Sequence, residues 1–178
     1  MMKALAISRA EGLERFRCSQ SYYSLAGREL EREIIPLLKD QHLGLLVWSP
    51  LAGGFLSGKF TREGTDPSGR RAQFDFPPIN KDRAYHIVDV MRTIAGDHQA
   101  SVPQVALAWL LSREAVTSVI IGVRNQTQLD DNLKAADLLL SSDELKRLDD
   151  ASALTLEYPA WMDAMPGDRR PDELRRYE

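Results

Sequence analysis

The order of hydrophobic periods along this chain predicts an α/β fold built on parallel strands. Short β-branched and apolar runs alternate with longer stretches whose apolar residues recur at helical spacing, an order that feeds parallel strands through right-handed helical crossovers. Two strand ends add to this. The runs that stop at Trp48-Ser-Pro and at Ile121-Gly-Val-Arg each pass into a loop or helix start suited to a phosphate.

Residues 2 to 14 read as a helix and Arg17 to Ser24 as a short strand. Glu29 to Gln41 is expected to be helical, because Leu30, Ile34, Ile35, Leu37 and Leu38 recur at helix-like spacing and charges fill the other face. Pro36 marks a kink or a boundary there. Leu43 to Trp48 is a strand with little alternation, the pattern of a parallel strand covered on both faces. It stops at Ser49-Pro50, since proline has no amide to donate in a central strand. Residues 49 to 80, rich in Gly, Pro, Ser and Asp, form a long loop, and such loops in compact domains usually serve function.

Lys81 to Ala95 is a helix with Ile87, Val88, Met91 and Ile94 on one face. Ser101-Val-Pro-Gln opens the next: the hydroxyl caps, Pro103 sits in the first turn, and Gln104 takes the capping-box position. Its apolar face holds Val105, Leu107, Ala108, Trp109 and Leu111. Val116 to Val123 is a β-branched strand interrupted by Gly122, followed by a polar helix from about Thr127 to Ala136. Ser141-Ser-Asp-Glu144 caps a helix through Leu145 and Leu148. Residues 151–178, around Tyr158-Pro-Ala-Trp161, are expected to form an irregular C-terminal arm.

With 178 residues, 43% hydrophobic and 28% charged, the chain has the composition of one soluble globular domain. A net charge of -3 offers no attraction for nucleic acid or an anionic membrane, and no run approaches a membrane span. Nothing at the N-terminus resembles a signal peptide. The single Cys18 cannot form an internal disulfide; it reads as a small buried hydrophobe in a reducing cytoplasm. His42, His86 and His98 have no metal-ligand spacing, so no metal is expected.

The segments Phe16-Arg-Cys-Ser-Gln-Ser-Tyr-Tyr-Ser-Leu-Ala-Gly-Arg-Glu-Leu-Glu31, Trp48-Ser-Pro-Leu-Ala-Gly-Gly-Phe-Leu-Ser-Gly-Lys59 and Ile120-Ile-Gly-Val-Arg-Asn-Gln-Thr-Gln-Leu-Asp-Asp-Asn132, in this order, resemble the cofactor-binding half of the aldo-keto reductases. These are NADPH-dependent carbonyl reductases on a (β/α)8 TIM barrel, and the likeness covers nearly the whole chain. It implies that residues 1–178 are the C-terminal portion of such a barrel, with about three strands where the closed form has eight and about 250 residues.

The resemblance also implies roles. Gln20 matches the glutamine that hydrogen-bonds the nicotinamide carboxamide, and Trp48 the aromatic on which that ring stacks. Ser49, Pro50, Leu51, Ala52 and Gly53 match the turn around the pyrophosphate. Lys59 and Arg70, or its neighbour Arg71, would close over the same charge from the cofactor-covering loop 49–80. Gly122, Arg124, Gln128, Asp131 and Asn132 match the adenosine end. Arg124 would bind the 2'-phosphate and favour NADPH, and Asp131 stands where the family usually shows Glu. Family members draw the catalytic tyrosine, lysine, aspartate and histidine from strands that would precede residue 1, and Tyr22 and Tyr23 lack that motif context. No catalytic residue is therefore assigned, and the chain alone is expected to reduce no aldehyde or ketone. A nucleotide-binding regulatory subunit, as among barrel relatives attached to ion channels, and the remnant of a disrupted gene are the competing readings. A nicotinamide dinucleotide is the implied partner, with a carbonyl substrate if the N-terminal half is supplied. Self-association is expected through bare sheet edges and a surface that includes Val47, Val119 and Ile120.

Overall fold

The computed structural model describes residues 1–62 and 70–163, with the backbone alone at positions 70, 72 and 163. Three strands, β1 (Cys18–Tyr22), β2 (Gly44–Trp48) and β3 (Val116–Val119), form a parallel sheet in the order β1-β2-β3. Cys18 lies opposite Gly44 and Tyr22 opposite Trp48. The β2–β3 register shifts between Leu45 and Leu46, where Leu45 N–H donates to the Thr117 hydroxyl at 3.1 Å. The parallel arrangement and the barrel-type α/β fold class agree with the sequence reading.

Helices α4 (Lys81–Asp97) and α5 (Val102–Leu111) cover one sheet face. Leu45 and Val47 point into it and are fully buried among Ile87, Val88, Met91 and Ile94 of α4 and Val105, Trp109 and Leu110 of α5. Leu111, expected on the apolar face, is 47% exposed on the last turn. The other face is different. Cys18 and Gln20 are exposed there, and Leu46 and Trp48 are half-buried. Two expectations fail for this one reason: β2 alternates because helices cover a single face, and Cys18 sits on the uncovered one. Val47 likewise belongs to the core, and of the three residues expected on an open surface Ile120 is the exposed one at 43%.

Helix α1 (Met2–Ala10) precedes the sheet. The region expected as one helix from Glu29 divides into a 3-10 turn, Glu29–Glu31, and α2 (Ile34–Asp40). Pro36 is the third residue of α2, where a helix amide has no intrahelical acceptor, so the missing N–H is harmless and the proline marks a boundary. After β2, residues 52 to 57 form 3-10 turns and Arg70–Gln73 a short helix, α3. β3 ends four residues early, although Ile120 N–H still donates to Val47 O. Asn125 caps α6 (Gln126–Leu133), a 3-10 turn follows at Lys134–Ala136, and Ser141 with Glu144 completes a capping box on α7 (Ser142–Ala151). The arm contains α8 (Ala160–Asp163) and a Tyr158–Trp161 ring contact, and residues 164–178 lie outside the described residues.

A polar hub joins the ends of this architecture. The Arg28 guanidinium donates to both Glu31 carboxylate oxygens at 2.8 and 2.9 Å, to Ser152 Oγ at 2.8 Å and to Asp149 O at 3.1 Å. Tyr23 OH donates to Glu31 at 2.6 Å, and burial together with that carboxylate pushes the phenol well above its ordinary range. Asp149 accepts from Trp109 Nε1 and from Arg113, while the two guanidiniums lie over the Trp109 ring at 5.3 and 4.5 Å.

Replacing Arg28 by Ala leaves Glu31 with the Tyr23 phenol and Asp149 with Trp109 and Arg113, and should lower stability by about 1–3 kcal/mol in urea unfolding of the full chain. Arg28→Lys should recover less than half of it, because a single ammonium cannot serve the fork; full recovery would show that charge alone suffices. Glu144 provides a pH test. Burial opposes its charge, but the Ser141 amide and hydroxyl and His98 at 2.7 Å outweigh that and hold its carboxyl below the ordinary range. A depressed folded value means a contribution fully present above the unfolded pKa and lost as pH falls through the folded one. Glu144→Gln should therefore flatten the stability profile below about pH 4.5, and an unchanged acid limb would contradict this.

Candidate functional site

Parallel strands end on the same side, and in parallel α/β sheets that carboxyl edge is where side chains and loops can surround a ligand. Here the chain leaving β2 and the chain leaving β3 form the two walls of an open cleft of about 700 Å³, within the range of small-molecule sites. Trp48, Ser49, Pro50, Leu51, Gly53 and Lys59 line the first wall, and Gly122, Arg124, Gln128, Asp131 and Asn132 the second.

The first wall is a tight turn. Ser49, Ala52, Gly53 and Gly54 all have positive φ, which the turn sustains through its own bonds: Ala52 N–H donates to Ser49 O at 2.9 Å and Gly53 N–H to Ser49 Oγ at 3.0 Å. The Ser49 hydroxyl thus shapes the turn. Ala52 is fully buried and does not line the cleft, and its carbonyl accepts from Arg71 at 2.6 Å. Lys59 is exposed at the far end of the wall.

Two features of this wall escaped the sequence reading. Arg71, 5% exposed, donates to Ala52 O and to Pro77 O, each at 2.6 Å, and its guanidinium lies over Phe55. It pins residues 74–78 against the turn. Lys81 and Arg71 together hold the Asp75 carboxyl below its usual range. The pinned strap brings Phe76 to Trp48 in a near-parallel stack, 5.9 Å between centroids and 9° between planes, while Tyr22 contacts the same indole at 5.3 Å. The one signal for it was Phe74-Asp-Phe-Pro-Pro, aromatic residues just before a proline pair in an otherwise polar loop. Of the two candidate arginines, Arg71 is committed to this clamp, and the side chain of Arg70 lies outside the described residues.

The second wall begins where β3 ends. At Gly122 an added Cβ would meet nothing within 4 Å, so the space beside its backbone opens into the cleft. Arg124 N–H donates to Gln128 Oε1 at 2.9 Å, and Gln128 N–H to the capping Asn125 side chain at 2.9 Å. Gln128 therefore spends its amide oxygen on the helix start. Asp131 accepts from Ser101 Oγ and Gln104 Nε2, both at 2.7 Å, and Asn132 is buried at 8% exposure. Gln20 is exposed on the uncovered sheet face opposite Leu46 and does not line the cleft. Among the described residues no group of His, Cys, Asp and Glu could hold a metal ion, and no helix is long and apolar enough to cross a membrane.

An aromatic wall, two cationic residues and one carboxylate therefore share a single cleft. Such a set suits a ligand that carries a planar ring and negative charge. The profile of the Aldo/keto reductase family matches residues 1–153, and the chain belongs to that family. It is similar to the uncharacterized oxidoreductase YrpG of Bacillus subtilis (strain 168), 37% identical over 74% of this chain and 39% of that protein. It is also similar to a probable voltage-gated potassium channel subunit beta of Arabidopsis thaliana, 33% identical over 66% of this chain and 37% of that one. A third relative is the NADH-specific methylglyoxal reductase of Escherichia coli (strain K12), 29% identical over 68% of this chain and 37% of the reductase. The chain thus spans less than two fifths of the length of each.

The turn makes its own prediction. Gly53 has φ +67° and a Cβ there would stand 2.3 Å from Phe76 O, in a strap whose next carbonyl, Pro77 O, is held by Arg71. Gly53→Ala should cost about 1–3 kcal/mol in urea unfolding, whereas Gly122→Ala should stay within about 0.5 kcal/mol. Equal effects would mean that the strap yields and is not clamped.

Proposed function

We propose that the cleft binds a nicotinamide dinucleotide, NADPH in preference to NADH, and that the chain is the cofactor-binding C-terminal portion of an oxidoreductase that reduces aldehydes or ketones. The observation that carries this reading is the meeting of the Trp48 and Phe76 aromatic wall with Lys59 and Arg124 in one cleft at the strand ends. The donor set fits the cofactor: a planar base needs the aromatic wall, phosphates need the cations, and Gly122 leaves room beside its backbone. When bound, the dinucleotide would supply hydride.

In this reading Trp48, with Phe76 beside it, orients the nicotinamide ring. Lys59 and Arg70 of the covering loop 49–80 meet the phosphates, and Arg124 meets the 2'-phosphate. Gln128, Asp131 and Asn132 border the adenosine. Gln20 would reach the carboxamide from the uncovered face of β1. Proton donation to a carbonyl has no assigned residue here, so the activity belongs to a fuller assembly in which further strands cover that face and pair with the outer edges of β1 and β3. A bare sheet of this kind is also where copies of the chain would associate.

The likeness to a potassium channel subunit supports a second reading, a nucleotide-binding regulatory subunit of the same fold. The NADH-specific relative makes cofactor choice a matter for particular residues rather than for the family. Arg124→Ala should weaken NADPH about ten- to a hundredfold, the loss of one charge-assisted contact, and leave NADH nearly unchanged in calorimetric titration. Equal weakening of both would place Arg124 in the scaffold, and failure of the unmutated chain to bind either would overturn the proposal.

A further inference from the structure

We propose that a row of four rings, Tyr22, Trp48, Phe76 and Phe74, selects the carbonyl substrate as a neutral aldehyde or ketone that carries an aryl group. The inference rests on the dinucleotide reading above.

The rings follow one another in contact along the rim of the sheet. Tyr22 and Trp48 are register partners at the ends of β1 and β2, both half-buried on the uncovered face, with centroids 5.3 Å apart. Phe76 stacks on Trp48 at 5.9 Å, and Phe74 on Phe76 at 5.4 Å. Both neighbours of the indole are fixed. A Cβ at Gly27 would stand 2.3 Å from Tyr22 Cε1, so the phenol ring lies against the Gly27 backbone, and its hydroxyl meets the buried Ser24 Oγ at 3.0 Å. Phe76 is held through the next residue, whose carbonyl accepts from Arg71. Phe74 and Phe76 nonetheless stay 59% and 40% exposed. A clamped strap that keeps two phenyl rings in water beside a cleft presents a binding surface, since core rings would be covered.

Position and charge select the occupant. A carbonyl that accepts hydride must lie about 3–3.5 Å from the nicotinamide, and in the reading above that ring stacks on Trp48. The substituent on the carbonyl therefore reaches the neighbours of Trp48, and the two ring neighbours are Tyr22 and Phe76. Ring pairs in tilted or offset contact gain more than the area they bury. Charge is absent from this surface. Burial lifts the Tyr22 phenol above its ordinary range, so it stays neutral, and the two cations that act on it are already engaged. Arg71 serves Ala52 O, Pro77 O and Asp75, while Arg83 serves Ala26 O and Glu29. A carboxylate or phosphate beside the carbonyl would meet apolar rings and committed cations.

The test titrates the full chain, saturated with NADP+, with benzyl alcohol and with cyclohexylmethanol, followed by ligand-observed NMR. The saturated ring is the more apolar of the two, so a surface that offered burial alone would rank it first. Benzyl alcohol should instead bind about three- to tenfold more tightly. Tyr22→Leu should abolish or reverse that preference, and Tyr22→Phe should keep it, because the ring and not the hydroxyl is used. Phe74→Leu, at an exposed position that tolerates exchange, should lower it part of the way. 4-Carboxybenzyl alcohol should bind more weakly than benzyl alcohol, and tighter binding would overturn the assignment of a neutral substrate. Binding of neither ring alcohol, or a ranking with cyclohexylmethanol equal or first, would overturn the inference alone. Equal losses for both alcohols in Tyr22→Leu would do the same, reducing Tyr22 to a support for Trp48. If the unmutated chain binds no NADP+, the dinucleotide reading fails and takes the inference with it.

Discussion

The fold depends on a guanidinium placed where three elements meet. Arg28 follows β1, Trp109 lies on α5 and Asp149 on α7, so the hub joins residues far apart in sequence through hydrogen bonds and ring contacts. Three parallel strands cannot define a core by themselves, because each strand needs its helices held at a set height above the sheet. The hub supplies that height. Trp109 is flanked by two guanidiniums and donates to Asp149, so α5 stays over Leu45 and Val47. Half-buried charge of this kind is costly unless it is paired, and here Glu31 and Asp149 are both multiply bonded.

The same device appears at the cleft. Arg71 is an interior cation satisfied mainly by carbonyls, and it links the turn after β2 to the strap ahead of α4. Backbone carbonyls are fixed acceptors, so the link determines where Phe76 stands relative to Trp48 more firmly than side-chain packing would. The turn between them contains four residues with left-handed backbone angles, Ser49, Ala52, Gly53 and Gly54, and is held by internal bonds to Ser49 and Leu51. The first wall is accordingly rigid by construction, and the aromatic surface it presents is a consequence of two buried hydrogen bonds. The second wall rests on α5 instead, through Asp131. Both walls therefore trace back to the helix layer on the covered face.

Much of this architecture was legible beforehand. Apolar spacing located α4 and α5, Ser101 and Ser141 marked the starts of α5 and α7, and the Ser-Pro after Trp48 marked the strand end; these are local signals in which side-chain chemistry meets only neighbouring backbone. Expectations failed where the answer depended on what lies across space. Cys18 is an ordinary strand residue whose burial turns on whether a second layer covers its face. Pro36, by contrast, was expected at a kink or a boundary, and the helix start at Ile34 makes it a boundary. Ala52, read with the loop around a ligand, belongs to the core, and its carbonyl is taken by an arginine nineteen residues away.

By itself the sequence determined the order of elements, the parallel class of the sheet, the family to which the chain belongs and most of the residues that surround the cleft. Periodicity and turn chemistry are properties of a few adjacent residues, so they can be read in one dimension. Tertiary structure alone decided which arginine is committed to the clamp, that Phe76 stacks against Trp48, and that Ser101 and Gln104 hold the Asp131 carboxylate. Those are pairings between segments separated by twenty or more residues, or across a folded strap. A hydrogen-bond donor carries no mark of its eventual acceptor, because that choice is made by geometry after the core has formed.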